Sequence, residues 1–270
     1  LADGAEVKPG QESKSLSQER FGKFAEDYVA SQSHAKGYDL NRLVEIANPQ
    51  PGWVVLDIAT GGGHTALKFA SYVRQVIATD ITPQMLFAAE KFIQDQGISN
   101  VSFKPADAED LPFDDHTFDL VTCRIAPHHF PDCGHFVQEG SRVLKPGGLL
   151  LVQDHVLPEN QAAARYVDDF ERLRDPSHNR AFSHLEWRNM FERANLIVTH
   201  TEEITKRHQL LPWAERQGCS PEVIEKLTQK LVGASPNVAL WLQVQDIGTH
   251  VASFVNHHIL IAGRVPVDGV

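Results

Sequence analysis

Cysteine is scarce in this chain. Cys123, Cys133 and Cys219 are the only three in 270 residues, too few and too widely spaced for a disulfide framework or a zinc site. A reducing, cytoplasmic setting fits them, with packing as the default role of each. Long apolar runs are missing as well. The longest, near residues 149–152, falls far short of the roughly 20 residues that a membrane-spanning helix needs. No basic region followed by an apolar stretch stands at the N-terminus, so no secretory signal is read. Positive charge is in deficit: 25 Lys and Arg against 35 Asp and Glu give a net charge of −10. A face that binds nucleic acid should attract phosphates, and no Lys/Arg cluster with interleaved aromatics occurs, so nucleic acid is not an expected partner. No internal repeat is apparent.

What is present reads as one domain with an elaborated cap. Residues 1–14 are polar and contain Gly4, Pro9 and Gly10, the composition of a flexible arm. The domain proper then spans 15–270. Ser15-x-x-Gln18 resembles a capping box, and Phe21, Phe24, Ala25, Tyr28 and Val29 follow at helical spacing. A second short helix starts at Asp39 and ends before Pro49 and Pro51, completing an N-terminal helical segment over 15–50. From 53 to 155 strands alternate with helices, which predicts a parallel, doubly wound α/β sheet. Beyond Pro158 the periodicity predicts helices over 160–174, from Ser183-x-x-Glu186, and over 212–232. Strands are predicted at 196–198 and 258–262.

Residues 53–64 carry the most information. An apolar strand at 53–56 reaches a carboxylate, Asp57, and turns through Gly61, Gly62 and Gly63 into a helical stretch. Strand, glycine turn and helix form the arrangement that binds an adenosine-containing cofactor at the edge of a parallel sheet. The glycines let a ligand approach where a side chain would collide.

Two parses of the turn compete. Gly61-x-Gly63-x-x-Ala66 fits the dinucleotide fingerprint, with Asp80 at a suitable distance. The other parse is acidic-x-G-x-G-x-G from Asp57, with Ala59 at the first glycine position. A left-handed backbone at Ala59 would cost about 1 kcal/mol or more. Asp57 can pair with a cation but would repel a pyrophosphate. Later segments favour the second parse. The strand at 76–79 ends at Asp80, whose carboxylate can accept ribose hydroxyls. Thr82-Pro83 then starts a helix bearing Met85. Residues 101–113 contain Asp107-Ala108, a fourth strand runs over 118–123, and Lys145-Pro146-Gly147-Gly148 leads into a fifth.

This ordered series resembles the class I S-adenosylmethionine-dependent methyltransferases. Within them it is similar to the small-molecule branch of the ubiquinone and menaquinone C-methyltransferases (methyltransferase type 11). The resemblance covers residues 20–155 and continues more loosely through 174–178 and Phe182-Ser183-x-x-Glu186-Trp187. It implies a doubly wound, seven-stranded, mostly parallel sheet, with an antiparallel last strand and a helical lid at about 156–194. It implies S-adenosyl-L-methionine as cofactor and a small organic molecule as methyl acceptor. Asp80 is expected at the ribose, Asp107 and the Ala108 amide at adenine, and the glycine turn at the methionine part. Residues 124–129 are expected to face the methyl group. The expected cofactor site is thus Tyr28, Asp57, Ala59, Thr60, Gly61, Gly63, Asp80, Ile81, Met85, Asp107, Ala108 and Arg124. Tyr28 also reads as a core residue, and Arg124 could instead pair with Asp119 or Asp132. Asp57 has little structural need in this reading.

Methyl transfer from a sulfonium needs a base only if the acceptor must lose a proton. His129, His128 and His155 are the candidates, with His178 in the lid, because imidazole takes up a proton near neutrality. His128, His129, His135 and Asp132 could in principle hold a metal, but nothing fixes their geometry and no metal is expected. A dinucleotide-dependent oxidoreductase and a non-catalytic module that binds the adenosyl cofactor are the alternatives.

Overall fold

The computed structural model describes residues 10–23, 25, 29 and 37–267. Helix α1 (Gln11–Lys23) and helix α2 (Tyr38–Ala47) precede the sheet. The alternating core follows as β1 (Val54–Ile58), α3 (His64–Ala70), β2 (Gln75–Asp80), α4 (Pro83–Asp95), β3 (Val101–Pro105) and β4 (Phe118–Arg124). A 3-10 turn (Pro127–His129), α5 (Cys133–Arg142) and β5 (Leu144–Leu157) complete it. Then come α6 (Gln161–Arg174), β6 (Phe182–Ser183), α7 (His184–Arg193), β7 (Ile197–Gln209), α8 (Leu210–Glu215), α9 (Pro221–Val232), α10 (Pro236–Leu242) and β8 (Ser253–Arg264).

The strand order is β3-β2-β1-β4-β5-β8-β7, with β8 antiparallel to both of its neighbours and the other ladders parallel. These are the seven expected strands. The two-residue β6 is an eighth, paired with the end of β5. The centres of β1, β4 and β5 are mostly apolar because helices cover both faces, with polar residues gathered towards the strand ends. One face packs Leu56, Val121 and Leu150 against Phe136 and Trp187, and the other packs Val55, Val76 and Leu151 against Phe69 and Leu43. Among the described residues no helix is long and apolar enough to cross a membrane.

Several boundaries differ from the sequence expectation. Helix α1 begins at Gln11, and the Ser15 hydroxyl donates to the Gln11 carbonyl inside it rather than capping a start. Residues 11–14 are therefore helical, not part of an arm. The lid expected at 156–194 divides. Helix α6 joins α8, α9 and α10 in a separate core around Phe170, Trp213, Leu227 and Phe254. Helix α7, with the full capping box of Ser183 and Glu186, instead buries Trp187 and Phe191 on the flank of the sheet. The helix expected over 212–232 breaks at Gly218, which has a left-handed φ of 67°. Strand β7 runs far beyond 198.

Candidate active site

The glycine turn is held from behind. Ala59 has φ 51° and Gly61 φ 53°, both left-handed. The Thr60 amide donates to the Thr79 carbonyl at 2.8 Å, which ties the turn to β2. The Thr60 hydroxyl donates to Asp57 Oδ2 at 2.6 Å and the Thr122 hydroxyl to Asp57 Oδ1 at 2.7 Å. Asp57 thus has the structural task that the sequence reading denied it: it ties β1 to β4 and to the turn. Burial pushes its carboxyl up to about 6 despite these two donors. Asp80 plays a parallel part, accepting from the Gly61 amide at 3.0 Å and the Thr82 amide at 2.9 Å. Burial raises its pKa as well.

A cavity of about 1040 Å³, mouth included, opens at these strand ends. Asp57, Ala59, Thr60, Gly61, Asp80, Ile81, Met85, Asp107, Ala108, Arg124 and His129 all line it. Gly63 does not; a Cβ there would meet Ile93 Cδ1 at 3.0 Å, so its glycine serves the packing of α3 on α4. Gly61 does line the cavity, and a Cβ there would meet nothing within 4 Å. Tyr28 lies outside the described residues. Arg124 is neither with Asp119 nor with Asp132: its Nη2 bonds Asp39 Oδ2 at 2.8 Å. Asp119 instead accepts from the Val54 amide and Lys145, and Asp132 caps α5.

Helix α1 forms a wall that the sequence reading missed. Lys14, Ser17 and Phe21 line the cavity at a spacing of three and four, one stripe of a helix. Starting the helix at Ser15 hid Lys14. Its ammonium reaches Asp107 at 2.6 Å and Glu109 at 2.5 Å. The Ser17 hydroxyl is buried on the cavity wall without a hydrogen-bond partner among the described residues. A buried hydroxyl in that position fits a ligand with polar edges. So do the open space over Gly61 and the carboxylates of Asp57, Asp80 and Asp107, which suit hydroxyl, amino and cationic groups. The residues present therefore fit an adenosyl sulfonium cofactor.

The histidines separate. His129 reaches the cavity, with Nδ1 2.9 Å from the Ser177 carbonyl and Phe21 edge-on at 4.9 Å. His128 is buried behind it, Nδ1 2.6 Å from Asp154 Oδ1. His155 lines a second, smaller cavity beneath α6, against Glu171 and Asn256. Burial lowers the pKa of all three. Of these three candidates only His129 lines the large cavity, which His64 of α3 lines as well. Among the described residues no group of three or more His, Cys, Asp or Glu could hold a metal.

Residues 49–209 match the family described as a methyltransferase domain. The methyltransferase YcgJ of Bacillus subtilis is 39% identical over 215 residues, which are 80% of this chain and 85% of YcgJ. Its crystal structure superposes with a TM-score of 0.82 at 36% identity, covering 85% of this chain and 98% of that one. The C-methyltransferase UbiE of Shewanella oneidensis is 36% identical over 129 residues, 46% of this chain and 51% of UbiE. The geranyl diphosphate C-methyltransferase of Streptomyces coelicolor shares the fold, with a TM-score of 0.61 at 13% identity over 84% of this chain and 76% of that one. The chain belongs to the methyltransferase-domain family and is an S-adenosylmethionine-dependent enzyme. The oxidoreductase and the non-catalytic module fall away.

Proposed function

We propose that the enzyme works in the cytoplasm and methylates a small organic acceptor at a carbon, oxygen or nitrogen atom. The observation that carries this reading is the convergence of Asp57, Gly61, Asp80 and Asp107, from separate strand ends, on one cavity that His129 also enters. UbiE, by name a C-methyltransferase of ubiquinone and menaquinone biosynthesis, lends support to a carbon nucleophile. The bound cofactor supplies a methyl group on a sulfonium, open to in-line displacement. In this reading Asp80 accepts the ribose hydroxyls, and Asp107 with the Ala108 amide takes adenine between Ile81 and Met85. The Ala59-Thr60-Gly61 turn admits the methionine part, and Asp57 faces its positive charge. Arg124, steadied by Asp39, faces its carboxylate. His129 takes the acceptor's proton, and the apolar walls from Phe21, Ala126 and Phe130 keep water away.

Titration calorimetry should show binding of S-adenosylhomocysteine and none of NAD. Asp80→Ala should weaken that binding by about 1.5–3 kcal/mol, the range for losing hydrogen bonds to a charged group. A change below a few tenths of a kcal/mol would remove Asp80 from the site. With an acceptor found by screening small organic nucleophiles against labelled cofactor, His129→Ala should lower turnover roughly a hundredfold and barely alter cofactor affinity. His129→Asn keeps a hydrogen-bonding side chain without a base, so an active asparagine variant would end the assignment.

A further inference from the structure

Residues 174–178, Arg-Asp-Pro-Ser-His, join α6 of the cap to the cavity wall, and methyl transfer as described gives them no task. The two residues that follow them are laced to the turn that carries His129. The amides of Asn179 and Arg180 donate to the His128 carbonyl at 2.8 and 2.9 Å, and Asn179 Nδ2 donates to the Phe130 carbonyl at 2.9 Å. At the centre, Asp175 Oδ1 accepts from the Ser177 amide at 2.9 Å and the Ser177 hydroxyl at 2.5 Å. That closes a tight turn and fixes the direction of the Ser177 carbonyl. The carboxylate is itself held by Arg20 of α1 at 3.2 Å and by Gln217 Nε2 at 2.6 Å.

A carbonyl oxygen can only accept, so the 2.9 Å contact to His129 Nδ1 requires hydrogen on Nδ1. In a neutral imidazole Nε2 then holds the free lone pair. We propose that Asp175 and Ser177 are positioning residues that lock His129 in this tautomer, leaving Nε2 as the proton acceptor of the ring. The inference rests on the reading of His129 as the base of the reaction.

The charges around His129 are consistent with that task. Burial drives its pKa down, and His178 of the same segment adds to the fall. Asp175 from the cap and Asp154 from β5 pull the other way. His128 lies beside it with ring centroids 4.0 Å apart, and Arg20 reaches the cluster from α1 through Asp175. Burial resists the charge of Asp175, but a protonated His129, the Ser177 hydroxyl and Arg20 outweigh that and hold its carboxyl below the usual carboxylate range. Asp175 is thus ionised at neutral pH and offsets part of the fall that burial imposes on the His129 imidazole.

The test is long-range 1H–15N NMR of the histidine rings in the protein saturated with S-adenosylhomocysteine. The His129 signals are identified by their loss in His129→Asn. The wild type should show a single Nδ1–H tautomer. Asp175→Asn keeps an oxygen for the Ser177 donors and removes the charge, together with the acceptor that meets Gln217 Nε2. It should retain the tautomer and lower the His129 pKa by about 1 unit, the smaller end of the effect of one close opposite charge. Asp175→Ala removes the turn as well and should leave a mixture of tautomers. If Asp175→Ala does not fold, the near-isosteric asparagine variant still decides the charge effect. An Nε2–H tautomer in the wild type, or an unmoved pKa in Asp175→Asn, would overturn the proposal. These readings need no acceptor. A locked tautomer together with an active His129→Asn enzyme would therefore uphold the positioning and strike the base assignment alone.

Discussion

Gly61→Val is expected to abolish cofactor binding while the sheet stays folded. A valine at this position has two effects, and they can be separated. Its left-handed φ of 53° strains any residue with a Cβ, by about 1–2 kcal/mol, which lowers stability without regard to ligand. Gly61 also lines the cavity, and with nothing within 4 Å of the added Cβ a valine there would take up space beside it. Gly97 is the matching control. It has φ 74° and equal open space, but it stands on the exposed surface after α4. Gly97→Val should lose comparable stability and no affinity. Calorimetry with S-adenosylhomocysteine, read beside a circular-dichroism melt, separates the two effects. A folded Gly61→Val protein with unchanged affinity would show that the turn does not face the ligand.

Asp57→Asn should make the empty enzyme more stable and the cofactor complex weaker. The carboxyl is 1% exposed, and burial raises it from 3.8 to about 6. Below pH 3.8 it is protonated in folded and unfolded chains alike. Between 3.8 and about 6 the unfolded chain ionises first, so the folded state loses stability as pH rises. Above about 6 the loss levels off at about 3 kcal/mol. Asparagine keeps an oxygen for one threonine hydroxyl and never ionises. The variant should therefore gain up to about 3 kcal/mol over the wild type at pH 8, with the gain vanishing near pH 4. Its affinity for a positively charged cofactor should drop roughly tenfold or more, as a charged hydrogen-bond partner is lost. Urea melts at several pH values measure the first effect and calorimetry the second. Equal stability at pH 8 with equal affinity would leave Asp57 as a tether between β1 and β4 and nothing more.

The central architecture could be read from the chain because its signals are local. The β1–glycine–α3 unit, the carboxylate ending β2 and the Thr82-Pro83 helix start each lie within a dozen residues, where hydrophobic period and turn chemistry act. Strand β7 was read as three residues and spans Ile197–Gln209. Most of it alternates between exposed and half-buried positions, but polar residues such as His200, Glu202 and His208 fill the half-buried ones, so no apolar alternation marks this edge strand in the sequence. Helix α10 has only seven residues, too few for a period, though Ser235-Pro236 marks its start.

The cavity walls were less legible because they depend on pairs distant in sequence. Arg124 finds Asp39 from 85 positions away, and Lys14 finds Asp107 from 93. No spacing rule reaches that far. Adjacent histidines could not be ranked for the same reason: a turn sends His129 to the cavity and His128 to Asp154.

Ala59 shows how ready this site is before any ligand arrives. An alanine held at φ 51° has far fewer shapes open to it than glycine would. Its neighbour Thr60 is clamped to β2 through its amide and to Asp57 through its hydroxyl. Little conformational entropy is left in the loop to be lost if the cofactor settles there as proposed. The strain at Ala59 is met once, during folding, by the strands behind it. Association then avoids the ordering cost of a mobile loop.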